Sequence, residues 1–145
     1  MSLLARILLA ASLLAAPAFP LHAGEAGRIL IVVSGEGRDQ GKTRPGYEFD
    51  ELSQAWLIFK ANGFAVDVAS PQGGAVEADK YNPKEPFNAA LLADAEAMRV
   101  LADTRKTRDV KATDYAALYV VGGKGAMFDL PRDPALRSLL ADAYD

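Results

Sequence analysis

The feature that most constrains the fold is an unbroken apolar run near the start of the chain. Residues 28–34 read Arg-Ile-Leu-Ile-Val-Val-Ser, and Gly35 follows them. Apolar residues that do not alternate with polar ones are typical of a strand that is covered on both faces. We therefore predict that this segment is the first strand of a parallel sheet, with helices packed on the sheet.

Two more segments carry a strand signature, and a helical pattern separates the first strand from the second. Residues 64–69 and residues 116–121 are predicted to be the second and third strands. A helix is predicted over residues 48–62, because Gly63 lies where a C-terminal cap belongs and an apolar stripe precedes it. That stripe, spaced i, i+3, i+4 and i+7, consists of Leu52, Ala55, Trp56 and Phe59.

Two further helices are predicted in the second half of the chain. Asn88 is expected to cap a helix that runs to about residue 103, after an irregular loop over residues 75–87. Residues 104–111 are charged and are predicted to be exposed, and a last helix follows Pro134. The residues expected to face inward are Leu91, Leu92, Ala95, Met98 and Leu101 in the first of these helices and Leu136, Leu139, Leu140 and Ala143 in the second.

This alternation predicts an α/β fold with a doubly wound parallel sheet, because strand–helix–strand units connect by right-handed crossovers. Three strands are visible, whereas open parallel sheets usually have about five. The final residue, Asp145, also falls inside a helical pattern. We therefore expect residues 24–145 to be the N-terminal part of a larger domain. The alternative is a complete three-stranded domain with long unpaired edges.

Residues 1–23 have the pattern of a secretory signal peptide. Arg6 precedes an apolar run over residues 7–16, and small residues follow up to Ala23. The run is too short for a membrane span, which needs about 20 residues. We expect an exported, periplasmic protein that is cleaved after Ala23 or, as the second choice, after Ala18. The alternatives are an N-terminal core helix and a retained anchor.

The composition limits the available chemistry. The 145 residues include 16 Lys and Arg against 19 Asp and Glu, so no basic field is available to bind nucleic acid. There is no cysteine, and the single histidine, His22, lies in the predicted leader. Disulfides, thiolate zinc sites and a cysteine nucleophile are therefore excluded within this stretch. We expect no metal, because carboxylates alone favour hard cations and no loop pattern for such ions is present.

The first glycine-rich loop resembles a phosphate-binding loop but does not meet its requirements. Residues 34–43 end in Gly-Lys-Thr after a strand. A P-loop needs a glycine where Glu36 stands, and it needs a helix that starts at Lys42. Pro45 and Gly46 oppose such a helix, so we do not expect nucleotide binding here.

Two other turns are candidate site elements, and both should lie at the carboxyl end of the sheet. The acidic turn with Glu48, Asp50 and Glu51 begins the first helix. Each carboxylate there stabilises the helix by about 0.3–1 kcal/mol through its interaction with the helix dipole. Ligands also bind at this position in open α/β sheets. Residues 122–125, Gly-Gly-Lys-Gly, follow the third strand and form either an anion or oxyanion pocket or a plain turn.

Three blocks of sequence together resemble the ThiJ/PfpI family of the class I glutamine amidotransferase-like superfamily. They are residues 43–51, 59–74 and 120–131, and the similarity extends over nearly all of residues 28–145. The chaperone/glyoxalase III branch is the most similar. The resemblance implies a flavodoxin-like sandwich and cofactor-free chemistry.

The resemblance also implies roles for individual residues. Glu51, twelve residues before the helix-closing Gly63, corresponds to the family glutamate that hydrogen-bonds a catalytic thiol. Gly123 would lend its backbone N–H to an oxyanion site. Lys124 stands where this branch typically has histidine, and an ammonium there could lower the pKa of a thiol but would not replace imidazole near neutral pH. The nucleophilic cysteine, followed by histidine, is expected after Asp145.

The activity implied is that of a glyoxalase III, D-lactate dehydratase or deglycase acting on a 2-oxoaldehyde. A thiolate adds to the aldehyde, and proton transfer through an enediol-like state gives the 2-hydroxy acid. We expect the 145-residue chain alone to be inactive. We expect the full-length protein to form a homodimer. The alternatives are an amidase or peptidase of the same superfamily, a non-enzymatic stress holdase or chaperone, and a fragment without function.

Overall fold

The computed structural model describes residues 26–144, so the predicted signal peptide lies outside the described residues. This part of the chain is an α/β fold in which strands and helices alternate. The strands are β1 (Arg28–Val32), β2 (Ala65–Ser70), β3 (Arg105–Lys106) and β4 (Ala117–Val120). The helices are α1 (Phe49–Ala61), α2 (Pro86–Ala93), α3 (Ala95–Ala102), α4 (Ala126–Asp129) and α5 (Pro134–Tyr144).

The strands form a parallel sheet in the order β3-β2-β1-β4. The chain builds outward from β1 through β2 to β3 and then returns across β1 to β4. The predicted doubly wound parallel sheet is therefore confirmed. Because β1 and β4 are neighbours that lead to opposite sides, their carboxyl ends form the topological switch point, where open α/β sheets bind ligands.

Two hydrophobic clusters cover the two faces of the sheet. Ile31 and Val33 pack with Trp56 and Leu52 on the face covered by α1, α2 and α3. Leu30 and Val32 point to the opposite face, where α5 packs. Burial of each side chain of this size stabilises the folded state by roughly 1.5–3 kcal/mol. Apolar residues of β1 do not alternate with polar ones because both faces of the strand are buried, as the sequence predicted.

The prediction of three strands was wrong, because β3 lies in the segment over residues 104–111 that we expected to be exposed. This two-residue strand is too short and too charged to carry an apolar pattern. It pairs with β2 through backbone groups, and the hydroxyls of Ser70 and Thr104 lie 2.7 Å apart beside it. Thr104 and Thr107 are buried, and Val110 is part of the hydrophobic cluster on the α5 side, so polar contacts and one apolar side chain hold the segment.

The single helix predicted from Asn88 onward is two helices. Asp94 has a ψ of 106°, and its side chain accepts hydrogen bonds from the N–H groups of Glu96 (2.9 Å) and Ala97 (3.1 Å), which caps α3. The indole N–H of Trp56 donates to the other carboxylate oxygen of Asp94 at 2.9 Å. Asn88 is not a cap and lies buried inside α2. A capping side chain therefore interrupts the helix that the apolar spacing predicted.

The predicted inward-facing residues of these helices are only partly buried. The helix break at Asp94 changes the face that the following residues present. In α5, which packs beside the edge strand β4, one row of side chains is covered. Leu91, Leu101, Leu136 and Leu139 are buried and Met98 is half-buried, whereas Leu92, Ala95, Leu140 and Ala143 are exposed.

Candidate active site

The two predicted turns meet at the switch point. Glu51 lies in the first turn of α1, and its carboxylate accepts a hydrogen bond of 2.6 Å from the N–H of Gly122, which follows β4. The acidic turn and the glycine-rich loop are therefore at the same rim of the sheet, as the sequence predicted. The family resemblance implies that Glu51 hydrogen-bonds a thiol. In the described part of the chain, its hydrogen-bond partner is the backbone N–H of Gly122.

The glycine-rich loop is held closely against the residues that precede α1. The carbonyl of Gly122 accepts from the N–H of Glu48 at 3.1 Å, and the N–H of Gly125 donates to the carbonyl of Gly46 at 2.9 Å. Gly123 has a φ of +102°, and a Cβ added there would lie 2.7 Å from the backbone nitrogen of Glu48. Only glycine fits this position, because both the backbone angle and the neighbouring backbone exclude a side chain.

Gly123 and Lys124 present unused groups beside Glu51. Over residues 26–144, the N–H of Gly123 donates no hydrogen bond, and the exposed Lys124 side chain makes no hydrogen bond or ion pair. A free N–H at a tight turn is a suitable donor for a developing oxyanion. The structure thus joins Glu51 to the loop that carries both other predicted site residues.

The other two carboxyl groups of the acidic turn have different surroundings. Asp50 accepts a hydrogen bond of 2.6 Å from the side-chain amide of Asn88, whose oxygen accepts one of 2.6 Å from the Ser53 hydroxyl. This buried network ties α1 to α2 and is structural. Burial is the main cause that raises the pKa of Glu48, and three neighbouring negative charges add to it, from Asp50, Glu51 and Asp79.

Sequence reasoning missed one carboxyl group at the same rim. Asp129, at the end of α4, accepts a hydrogen bond of 2.8 Å from the N–H of Gly35 through Oδ2. Its Oδ1 is buried and has no hydrogen-bond partner in the described residues. Burial raises the pKa of Asp129, although the hydrogen bond from Gly35 opposes that shift. The only available signal was its place in the glycine-rich block that carried the family resemblance.

Two clefts flank the switch point. The one on the Asp129 side has a volume of about 520 Å³ and is lined by polar and charged groups, with Arg44 paired to Glu36. The one on the Glu51 side has a volume of about 370 Å³ and runs beside β4, where Ile58, Phe59 and Tyr119 line it. Glu51 thus borders a groove whose lining is mainly apolar.

Two other kinds of feature are absent from the described range. Residues 26–144 hold no group of three or more His, Cys, Asp or Glu residues placed to bind a metal ion. The same residues include no helix with the length and apolar character needed to cross a membrane.

Comparison with known proteins finds distant relatives among the glyoxalases. No protein-family model matches the chain. The glutathione-independent glyoxalase hsp3102 of Schizosaccharomyces pombe is 30% identical over 105 residues, which cover 68% of this chain and 43% of that protein. The probable glutathione-independent glyoxalase SNO4 of Saccharomyces cerevisiae is 28% identical over 112 residues, which cover 74% of this chain and 46% of that protein.

Solved structures agree with the fold. The 24-kDa rapid encystment protein of Francisella tularensis superimposes with a TM-score of 0.72 at 24% identity, over 81% of this chain and 54% of that one. Glyoxalase III from Candida albicans superimposes with a TM-score of 0.67 at 18% identity, over 82% of this chain and 53% of that one.

The chain is thus an α/β protein whose sheet matches part of the glyoxalase III fold. It is a distant homologue of the glutathione-independent glyoxalases of the ThiJ/PfpI type, which confirms the resemblance seen in the sequence. The matched region spans less than half of the length of these two curated relatives.

Proposed function

We propose that the whole protein acts on small reactive carbonyl compounds as a cofactor-free, glutathione-independent glyoxalase or deglycase. The observation that carries the proposal is the contact between Glu51 and Gly122, which places a carboxylate and a glycine-rich loop together at the switch point of the sheet. The relatives are named as glutathione-independent glyoxalases, which supports the substrate class. The leader-like residues 1–23 support export to the periplasm as part of the same proposal.

In the proposed reaction a thiolate adds to the aldehyde carbon of a 2-oxoaldehyde and forms a hemithioacetal. Glu51 removes the proton from that carbon, which gives an enediol, and returns it to the neighbouring carbon, which leaves a thioester. Water then hydrolyses the thioester to the 2-hydroxy acid and frees the thiol. The N–H of Gly123 stabilises the oxyanion that develops on the substrate.

The thiol in this proposal comes from a part of the whole protein outside the 145 residues, because these contain no cysteine. A strand that paired with the open side of β4 would end beside the glycine-rich loop, since parallel strands share one carboxyl edge. The ammonium of Lys124, on that loop, would then be near enough to favour the thiolate.

The experiment compares two glutamates that both lie in the first turn of a helix. In the full-length protein, we expect Glu51→Gln to lower kcat/KM for methylglyoxal by about 10²- to 10⁴-fold, the usual contribution of a general acid–base group. The matched control is Glu96→Gln in α3, which pairs with Lys60 far from the loop. Formation of D-lactate without glutathione is the measurement.

Equal activity of Glu51→Gln and Glu96→Gln would contradict the role of Glu51. Two other outcomes would favour the alternative functions. Hydrolysis of amide substrates without turnover of methylglyoxal would indicate an amidase or peptidase. Protection of client proteins from aggregation that persists in Glu51→Ala, again without turnover, would indicate a holdase.

A further inference from the structure

The two carboxylates at the switch point bind each other's loops. Glu51 belongs to α1, which follows β1, and it accepts from Gly122 after β4. Asp129 belongs to α4, which follows β4, and it accepts from Gly35 after β1. Each carboxylate therefore ties its own half of the switch point to the opposite half. We call this pair of contacts the cross-clamp.

The turn held by Asp129 touches the glycine-rich loop directly. Ser34 is completely buried, and its hydroxyl accepts a hydrogen bond of 3.1 Å from the N–H of Glu36. A Cβ added to Gly125 would lie 2.8 Å from that hydroxyl oxygen. A movement of the turn after β1 would therefore act on the loop that carries Gly123, because the Ser34 side chain lies directly against Gly125 of that loop.

The contact that Asp129 makes with Gly35 carries an energetic cost. Its second carboxylate oxygen is buried and has no partner in the described part of the chain, and such a group destabilises a fold. An apolar residue at this position would remove that cost and would also lose the hydrogen bond from Gly35 to Oδ2. By geometry, this hydrogen bond holds the end of β1 at a fixed distance from the loop after β4.

We propose that Asp129 is a positioning residue, which holds the turn after β1 so that the N–H of Gly123 stays in place relative to Glu51. The catalytic meaning of this inference rests on the proposed function. The cross-clamp itself does not depend on the proposed function, because its contacts involve only residues that the structure describes. The charged groups that line the cleft beside Asp129, and that share its electrostatic surroundings, are Glu36, Arg38, Arg44, Arg132 and Asp133.

The first test is NMR of the full-length protein, which measures amide hydrogen exchange at Gly35 and the amide chemical shift of Gly123. Loss of one hydrogen bond should make exchange at Gly35 in Asp129→Ala about five- to tenfold faster. The Gly123 N–H donates no hydrogen bond over residues 26–144, so we expect its displacement to change its chemical shift rather than its exchange rate. Asp129→Asn keeps an acceptor oxygen and should restore protection. Exposed Asp142→Asn is the matched control. Unchanged exchange at Gly35 in Asp129→Ala, or no rescue by Asn, would overturn the proposal.

The second test needs no destabilising variant. The Gly35 amide resonance of the wild type should shift with pH as Asp129 ionises, with a midpoint above the ordinary carboxyl value of about 3.9, and Asp129→Asn should abolish this shift. A Gly35 resonance that does not respond to Asp129 would disprove the clamp even if Asp129→Ala failed to fold.

The third test concerns catalysis. We expect Asp129→Ala to lower kcat by about tenfold or more with little change in KM, and Asp129→Asn to recover most of it, because misplaced groups slow the chemical step. A kcat that Asp129→Ala leaves unchanged would overturn the positioning role. If the wild type does not turn over carbonyl substrates, the proposed function fails, while the exchange and titration results still decide on the clamp.

Discussion

β1 and β4 are neighbours in one sheet, yet they differ in how deeply they are buried. From Ile29 to Val32 every side chain of β1 is buried, and the strand is hydrogen-bonded on both sides. β4 is equally apolar in sequence, but its side chains are half-buried or exposed, and Val120 is 40% exposed. In the described residues, β4 has a strand on one side only. An apolar run thus identifies a strand but not its place in the sheet.

The loop that follows β4 is more closely packed than the strand itself. The exposed strand β4 leads into the closely packed residues 122–125, where neighbouring backbone leaves no space for a side chain on Gly123. The edge of the sheet is therefore open along β4 and closed at its carboxyl end, where the proposed site lies.

The largest expected effect separates the two strands by stability. Leu30 in β1 and Leu118 in β4 are paired in register and pack in the same cluster. Leu30→Ala should reduce the free energy of unfolding by about 2–5 kcal/mol, because it leaves a cavity in a closed core. Leu118→Ala should cost about 1 kcal/mol, since its side chain is half-buried. Urea unfolding of the 145-residue chain measures both losses, and equal losses would contradict the difference in burial between the two strands.

A smaller effect should separate two turns that both contain glycine at positive φ. Gly74→Ala should cost about 1 kcal/mol, from backbone strain alone, because nothing lies within 4 Å of an added Cβ. Gly123→Ala should cost about 1–3 kcal/mol more, because its Cβ meets backbone. If the two variants were equally stable, the packing of the loop after β4 would be looser than described.

The smallest expected effect is on the pH dependence of stability, in which Asp129 and Asp94 should act with opposite sign. Burial raises the pKa of Asp129, so its ionisation costs stability as pH rises through that pKa. Burial also acts to raise the pKa of Asp94, but hydrogen bonds from Trp56, Ala97 and Glu96 outweigh it and lower the pKa, so the stability from ionised Asp94 is lost as pH falls through that pKa.

Relative to wild type, Asp129→Asn should therefore gain stability as pH rises from about 4 to 7. The stability that Asp94→Asn lacks should instead appear below about pH 4, as pH rises through the lowered pKa of Asp94, and stay constant above it. Unfolding free energies measured below about pH 4, at about pH 4 and at about pH 7 provide the check. Shifts of the same sign for the two variants would show that these carboxyl groups do not differ as their contacts indicate.

Some of the fold could be predicted from local patterns and some could not. Strands β1, β2 and β4 and helix α1 were predicted, because burial on two faces or on one stripe leaves a periodic signal. Strand β3 left no such signal, since its pairing uses backbone groups and the neighbouring hydroxyls of Ser70 and Thr104. The break at Asp94 was missed because aspartate is compatible with a helix interior until its side chain caps the next helix.

The candidate site divides in the same way. The carboxyl ends of parallel strands meet at one edge, so Glu51 and the glycine-rich loop could be placed together from topology, and the resemblance selected Glu51 among three acidic residues. Asp129 could not be found in this manner. Its partner Gly35 lies 94 positions away, and the contact depends on how α4 turns back over β1.

The hydrogen bond between Trp56 and Asp94 gives the molecule a built-in optical reporter. The chain contains one tryptophan, its ring is buried, and the partner of its indole is the residue at which α2 gives way to α3. Detachment of α3 would wet the ring and move its fluorescence emission to the red. Fluorescence of this single tryptophan therefore reports on the contact between α1 and the start of α3.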